Sequence, residues 1–377
     1  MNVLVTGGAG FIGSHLVDEL VCRGHRVRVL DSLCEQVHGG RPPAFLHPRA
    51  ELVVADARDR ARVAAALDGI EAVAHLAAAV GVAQSQYQIH HYVEVNSGGA
   101  AVLADVLANE RHKVRKILVP GSMTAYGEGP ADCDRCGRVR PAIRTVADVA
   151  GGMWEPRCPS CRGATRPALV RETDALLSES IYAITKRSQE QILGHVGRLR
   201  GIPTVCIRFF NVYGPRQSLS NPYTGVTAIF IARLKTGAAP VVFEDGHQTR
   251  DFLWVGDAAG LLADLLETDA ADGRTLNIAS GAPTPIGTVA EHIAELLRVN
   301  VRPTVTHQFR FGDVRHCTAD VSLAASILGW RAQTPLATGL ERLVGWSRTE
   351  SSRDGFSATL EELDQFGMLS SAVRDSR

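Results

Sequence analysis

The 377-residue chain lacks an excess of either charge, with 40 Lys and Arg against 40 Asp and Glu. That balance leaves no electrostatic footprint for DNA, RNA or an acidic membrane surface. Also missing are any apolar run near the ~18–20 residues that span a bilayer and a basic leader ahead of the first strand-like segment, Asn2-Val3-Leu4-Val5-Thr6. Neither a membrane association nor a secretory peptide is therefore expected. No internal repeat is evident. Core-forming material is ample, at 45% hydrophobic and 21% charged residues, which excludes disorder of the whole chain. Eight cysteines in a chain of this length fit a reducing cytoplasm better than a disulfide scaffold. The expectation is a soluble, cytoplasmic protein of two or three domains, or one large α/β domain with an appendage.

Val3–Thr6, Arg26–Leu30, Glu51–Val54, Ala72–His75, Lys116–Val119 and Thr204–Arg208 read as buried strands. They alternate with helical stretches at Phe11–Arg23, Arg58–Leu67, Tyr92–Glu110 and Glu179–Arg200. Such alternation predicts an α/β fold, a doubly wound parallel (Rossmann) sheet over residues 1–210, with functional loops at the carboxyl edge. A smaller α/β substrate lobe is expected over 211–350 and a mobile, polar tail over 351–377. One interval breaks the rhythm: roughly sixty residues separate Pro120 from Tyr182, where a short connection is usual.

Gly7-Gly8-Ala9-Gly10-Phe11-Ile12-Gly13 follows the first strand and opens a helix. Glycines there admit the close approach of a pyrophosphate, and the helix N-terminus offers it free N–H groups. Asp31 ends the second strand, 18 residues beyond Gly13, where a carboxylate accepts ribose hydroxyls and repels a 2′-phosphate, favouring NAD. Asp56 and Ala57 follow the third strand, and Leu76, Ala77 and Ala78 the fourth; together with Asn96 they complete the expected cofactor contacts. Tyr182 and Lys186 lie four apart on one helix face. An ammonium beside a phenol favours the phenolate, by about one to three pKa units for opposite charges in contact, which suits a general base. Ser122 ends the fifth strand at the same edge.

On these segments the chain resembles the extended short-chain dehydrogenase/reductase family, in its nucleotide-sugar epimerase/dehydratase branch. Ser122-Met123-Thr124-Ala125-Tyr126-Gly127, Asn211-Val212-Tyr213-Gly214-Pro215-Arg216 and Arg250-Asp251-Phe252 are similar to its active-site and substrate segments. The resemblance implies that Asn211 and Arg250, with Arg216, hold a sugar-nucleotide diphosphate, and that Arg315 in Gly312-Asp313-Val314-Arg315 reaches the nucleotide. It also implies a dimer through the helices Tyr92–Glu110 and Glu179–Arg200. Relatives that eliminate water carry Asp and Glu after the serine, and decarboxylating relatives carry the Glu. Here those positions are Met123 and Thr124, which cannot exchange protons at neutral pH. The resemblance is thus to UDP-galactose 4-epimerases, with Tyr182, Lys186, Ser122 and Thr124 as the catalytic set and a UDP- or dTDP-sugar as substrate. A nucleotide-sugar 4-ketoreductase or dehydrogenase, a 4,6-dehydratase and a non-catalytic NAD-sensing scaffold are the competing readings.

Within the long interval, Cys133/Cys136 and Cys158/Cys161 form two Cys-x-x-Cys knuckles with 21 residues between them. Four thiolates suit a closed, structural tetrahedral Zn²⁺ site; two disulfides or free thiols are the alternatives. The insertion, 127–172, holds eight arginines against six acids, too small an excess for a nucleic-acid-binding ribbon. Similar inserts resemble those of dTDP-L-rhamnose 4-epimerases. Trp154 is expected to pack beneath the knuckles; His316, beside Arg315, is a candidate substrate contact rather than an expected one.

Overall fold

The computed structural model describes residues 1–371. Seven parallel strands form the main sheet: β1 (Asn2–Thr6), β2 (Arg26–Asp31), β3 (Glu51–Val54), β4 (Ala72–His75), β5 (Lys116–Ser122), β6 (Thr204–Phe209) and β7 (Thr275–Ile278). Their order is β7-β6-β5-β4-β1-β2-β3, so the chain reverses direction across the sheet beside β1, where such folds bind their ligands. Val3 and Val5 point into one fully buried cluster and Leu4 into the other, as strand alternation requires of a sheet covered on both faces. The helix Phe11–Cys22 and the helix Val255–Glu267 share the first cluster.

Two elements depart from expectation. β7 lies beyond residue 210 yet pairs with β6, Leu276 opposite Ile207, so the nucleotide-binding sheet draws on both halves of the chain. The expected continuous helix Tyr92–Glu110 is broken by a π-helical turn at Val93–Gly98 before Gly99–Asn109. The wider turn carries Asn96, whose amide clamps Ala79 and Thr185, a local distortion of the kind found near functional sites.

The second lobe combines a four-stranded sheet (Asn211–Tyr213, Thr249–Trp254, Pro283–Pro285, His316–Cys317) with the helices Val226–Lys235, Ile286–Leu297 and Leu336–Ser347 around its own core. The insertion forms a small antiparallel sheet of Ala131–Cys133, Gly137–Val139 and Arg166–Pro167. Trp154 packs with Val149 and Phe309, joining the insertion to the second lobe.

The tail corrects the expectation of mobility as far as residue 371. Phe356–Gln365 is a helix, Phe356 and Leu363 are buried, and Leu369–Ser371 pairs antiparallel with Gln308–Arg310. Its short apolar pattern docks on the second lobe. Residues 372–377 lie outside the described region. No helix among the described residues is long and apolar enough to cross a membrane.

Candidate active site

The glycine turn fits a dinucleotide. A Cβ on Gly7, at φ +69°, would sit 2.7 Å from the Ala77 nitrogen, and one on Gly13 only 2.2 Å from the Gly7 carbonyl oxygen, so the backbone itself shapes the cradle. Asp31 stands beside it, its Oδ2 accepting the Ala9 N–H at 3.0 Å and its Oδ1 the Leu33 N–H at 2.9 Å. Asp56 is held by Arg58 through paired contacts and its carboxyl is lowered, first by the Arg58 hydrogen bond. Asn96 is fully buried with its side-chain amide engaged on Ala79 and Thr185. It therefore positions the loop after β4.

The catalytic helix spans Ile181–Arg200, capped by Ser180, whose hydroxyl accepts the Ala183 N–H, and stopped by Gly201 in the left-handed region. These caps fix its first turn at the sheet edge. Tyr182 is half-buried there, its ring edge-to-face with Tyr92 at 6.4 Å, and its backbone N–H bonded to Ser85 Oγ. Thr124 donates to Ser122 Oγ from both its N–H and its hydroxyl, at 3.2 and 3.0 Å. Lys186 Nζ donates to Gln189 Oε1 at 2.5 Å, and Gln189 Nε2 in turn donates to the Ala77 and Asn96 carbonyls. The catalytic helix is thereby tied to the cofactor loop.

The electrostatics differ from the spacing argument. Burial pushes the Tyr182 phenol up to about 12, with Ser122 the group that draws it back. Burial lowers Lys186 to about 8, opposed by Glu190. The expected depression of the phenol by Lys186 is not realised in the ligand-free chain. His75, wholly enclosed, is lowered to about 3 by burial and then by Lys186, and is a neutral packing partner of Thr6.

A cleft runs from this edge into the second lobe. Met123, Thr124, Gly127, Glu179 and Ser180 line its inner end. Asn211 and Arg250 line it as well. Asn211 Oδ1 is buried without a partner. The Arg250 guanidinium bonds the Thr249, Val314 and Arg315 carbonyls, which aims it rigidly. Arg216 is elsewhere: it pairs with Asp18 at 2.6 Å and covers Phe45, bracing the first helix.

Arg315 is likewise not a cleft residue. It is fully buried and its guanidinium is held by Glu155, Glu244 and Asp245 at 2.6–2.9 Å. The arginine of that segment that does line the cleft is Arg310, paired with Asp313 and stacked 5.2 Å over Phe243. Sequence reasoning missed it, although it stands two residues before the glycine that marked the segment. Also missed were Gln248, Glu179, Phe356 and Thr359, all cleft-lining. His316 bonds Glu155 and Thr249 and is not in the cleft lining. Glu244 sits at φ +55°, a strained backbone for a side chain, where it holds both Arg315 and Arg144. With Glu128 bonded to the Arg315 and His316 amides, this buried network welds the insertion to the cleft rim.

The four insertion cysteines converge. Their sulfurs all lie within 4.8 Å of one another, Cys133 and Cys161 at 3.5 Å. A tetrahedral site with Zn–S bonds of about 2.3 Å has sulfurs roughly 3.8 Å apart, so the set fits one closed metal ion. Cys133 pairs with Gly137 across a hairpin, and the Arg162 N–H closes the second knuckle on the Cys158 carbonyl.

Residues 3–142 and 163–279 match the NAD dependent epimerase/dehydratase family, and the stretch skipped lies within the insertion and includes the second knuckle. The chain belongs to that family. It is 35% identical to a dTDP-L-rhamnose 4-epimerase of Burkholderia thailandensis over 93% of this chain and 96% of the relative. It is 31% identical to a UDP-glucose 4-epimerase of Mycolicibacterium smegmatis, over 93% and 100%. Among solved structures it is similar to UDP-glucose 4-epimerase of Thermotoga maritima with UDP-glucose (28% identity, TM-score 0.75, covering 92% of this chain and 99% of that one). A UDP-glucose 4-epimerase of Thermus thermophilus in complex with NAD is similar at 27% identity and TM-score 0.74, over 93% and 100%. The activity these relatives and this site define is NAD-dependent epimerisation of a nucleotide sugar at C4.

Proposed function

We propose that the substrate is a dTDP-linked 6-deoxyhexose of the rhamnose type, inverted at C4, and that Tyr182, Lys186, Ser122 and Thr124 carry the reaction. The observation that carries this reading is the composition of the inner cleft. Met123 and Val82 line it beside Thr124, whose hydroxyl bonds Ser122. An apolar wall suits a C5 methyl group better than a hydroxymethyl group. The 35% identical relative and the shared whole-chain alignment support the same sugar class.

When bound, NAD supplies a hydride acceptor and donor for C4; the glycine turn, Asp31 and the loop after β4 are the residues that would hold it. Tyr182 then takes the O4 proton onto its phenolate oxygen and returns it on reduction, and Ser122 donates the hydrogen bond that favours the phenolate before transfer. Thr124 orients Ser122. Lys186 places a positive charge one helical turn behind the phenol. Asn211 and Arg250 keep the diphosphate fixed while the sugar turns between its two faces, and the unpartnered Asn211 Oδ1 accepts a hydrogen bond from a ligand hydroxyl. A dehydratase needs a paired acid and base to remove water. Glu179 is one carboxyl at the inner cleft, raised by burial, and no second one follows Ser122. The four cysteines hold a structural zinc ion that orders the insertion. The deciding test incubates the protein with UDP-, dTDP- and GDP-hexoses and their 6-deoxy forms. C4 inversion of a dTDP-6-deoxyhexose without net NADH formation is expected; stoichiometric NADH or a dehydrated product would refute the reading.

A further inference from the structure

The C-terminal segment that the sequence marked as mobile forms part of the ligand cleft. Phe356 and Thr359 line it, both nearly buried. Four independent attachments hold the segment there. Asp354 accepts from Arg233 at 3.0 Å, and Glu362 accepts from the Tyr223 hydroxyl. Phe366 stacks on Tyr87, rings 4.4 Å apart and nearly parallel. Leu369 pairs with Arg310 in the short antiparallel ladder, so the backbone of a cleft arginine is itself held by the tail.

A nucleotide sugar is a linear molecule. With its C4 at Tyr182 and its diphosphate at Asn211 and Arg250, its nucleoside must continue into the second lobe. There the walls are Phe243 from the second lobe and Phe356 from the tail, rings 6.5 Å apart at 64°. Arg310 backs one ring at 5.2 Å and Arg233 the other at 5.6 Å. The two rings meet edge to face, so a nucleobase would stack on one of them rather than between them, in a way every base can satisfy. Gln248 lines the same cleft and bonds the backbone of Phe243. Its Nε2 donates to the Phe243 carbonyl while its buried Oε1 has no partner. A buried amide oxygen left without a donor is costly, and an N–H of a pyrimidine base satisfies it.

We propose that Phe356 is a nucleoside-binding residue and that the segment 354–371 is the outer wall of the nucleotide site, with Gln248 as the acceptor that selects a base bearing an imino N–H, as thymine and uracil do. The proposal rests on reading the cleft as a nucleotide-sugar site.

The test compares Phe356→Ala and Phe356→Tyr with the wild-type holoenzyme, using dTDP and UDP as calorimetric probes and the nucleotide sugar as substrate. Phe356→Ala is expected to weaken dTDP and UDP binding about ten-fold and to raise KM similarly, with kcat and bound NAD within about two-fold. Phe356→Tyr restores the affinity. Equal dTDP affinity in the wild type and Phe356→Ala, or a fall in kcat without a change in affinity, overturns it. Should Phe356→Ala unfold, hydrogen exchange across 354–371 in the unaltered chain decides: slowing on addition of dTDP supports the wall, and unchanged exchange overturns it. A wild type that binds dTDP but epimerises no sugar would refute the proposed reaction while leaving this contact intact.

Discussion

Lys186 gives the sharpest quantitative test, because the structure sets its catalytic and its structural effects against each other. The residue is 4% exposed, and its ammonium donates to Gln189 Oε1. Burial brings it from the ordinary 10.5 down to about 8. At 1.36 kcal/mol per pH unit, that drop corresponds to about 3 kcal/mol of destabilisation of the native state at neutral pH. The unfolded chain binds the extra proton between about pH 8 and 10.5, so this penalty shrinks as pH rises through that window and is gone above it. Lys186→Met keeps the side-chain volume and removes the charge. It leaves Gln189 Oε1 without its donor, at a cost of about 1 kcal/mol, so the variant should be about 2 kcal/mol more stable than wild type at pH 7. The advantage should be absent at pH 10.5, where both chains are neutral at this position. Turnover should fall by about 10²–10⁴, the contribution of a positioned acid–base group and its charge partner. Urea unfolding of nucleotide-free protein at both pH values measures the difference without interference from cofactor linkage. A variant less stable than wild type at pH 7, or one whose difference is independent of pH, would show that the ammonium is not held at a desolvation cost.

Tyr182→Phe removes the phenol that bonds Ser122; epimerase activity should drop by at least about 10³ while NAD content, read by absorbance after denaturation, stays at wild-type level. Arg144→Met leaves Glu128 and Glu244, both buried beside it, short of a cation and should destabilise the fold by about 3–5 kcal/mol; a chemical denaturation midpoint matching wild type would contradict the network. Metal analysis of freshly reduced protein should find one zinc per chain, and Cys158→Ser should abolish it and lower the melting temperature. Less than one equivalent in the wild type would remove the zinc assignment. Acid unfolding should begin below pH 6.5, since His75 binds its proton readily only when unfolded; a protein equally stable at pH 7 and pH 4.5 would count against a neutral, enclosed imidazole.

Short-range chemistry was legible from the residues. The glycine turn, the carboxylate ending β2 and the Tyr182–Lys186 pair are set by spacings within one element or across one connection, and the structure brings them to one edge. The cysteine knuckles converge for the same reason: each pair is closed by its own turn, and the pairs need only meet. The role of the tail was not legible, because Phe356 and Leu363 in a serine-rich stretch reveal nothing about the second-lobe surface they cover.

The division between Arg310 and Arg315 shows where the sequence by itself stops. Both are five residues apart in one loop, with equal charge and reach. That this segment sends a cation towards the nucleotide was implied only by the resemblance of Gly312-Asp313-Val314-Arg315 to a family segment. Which cation faces the ligand depends on residues packed around the two from elsewhere in the chain. Glu155 from the insertion and Glu244 and Asp245 from the second lobe surround Arg315, and a guanidinium enclosed by three carboxylates does not turn outward. The same holds for the seventh strand and the docked tail: each is fixed by partners distant in the chain, whose proximity is a property of the folded whole.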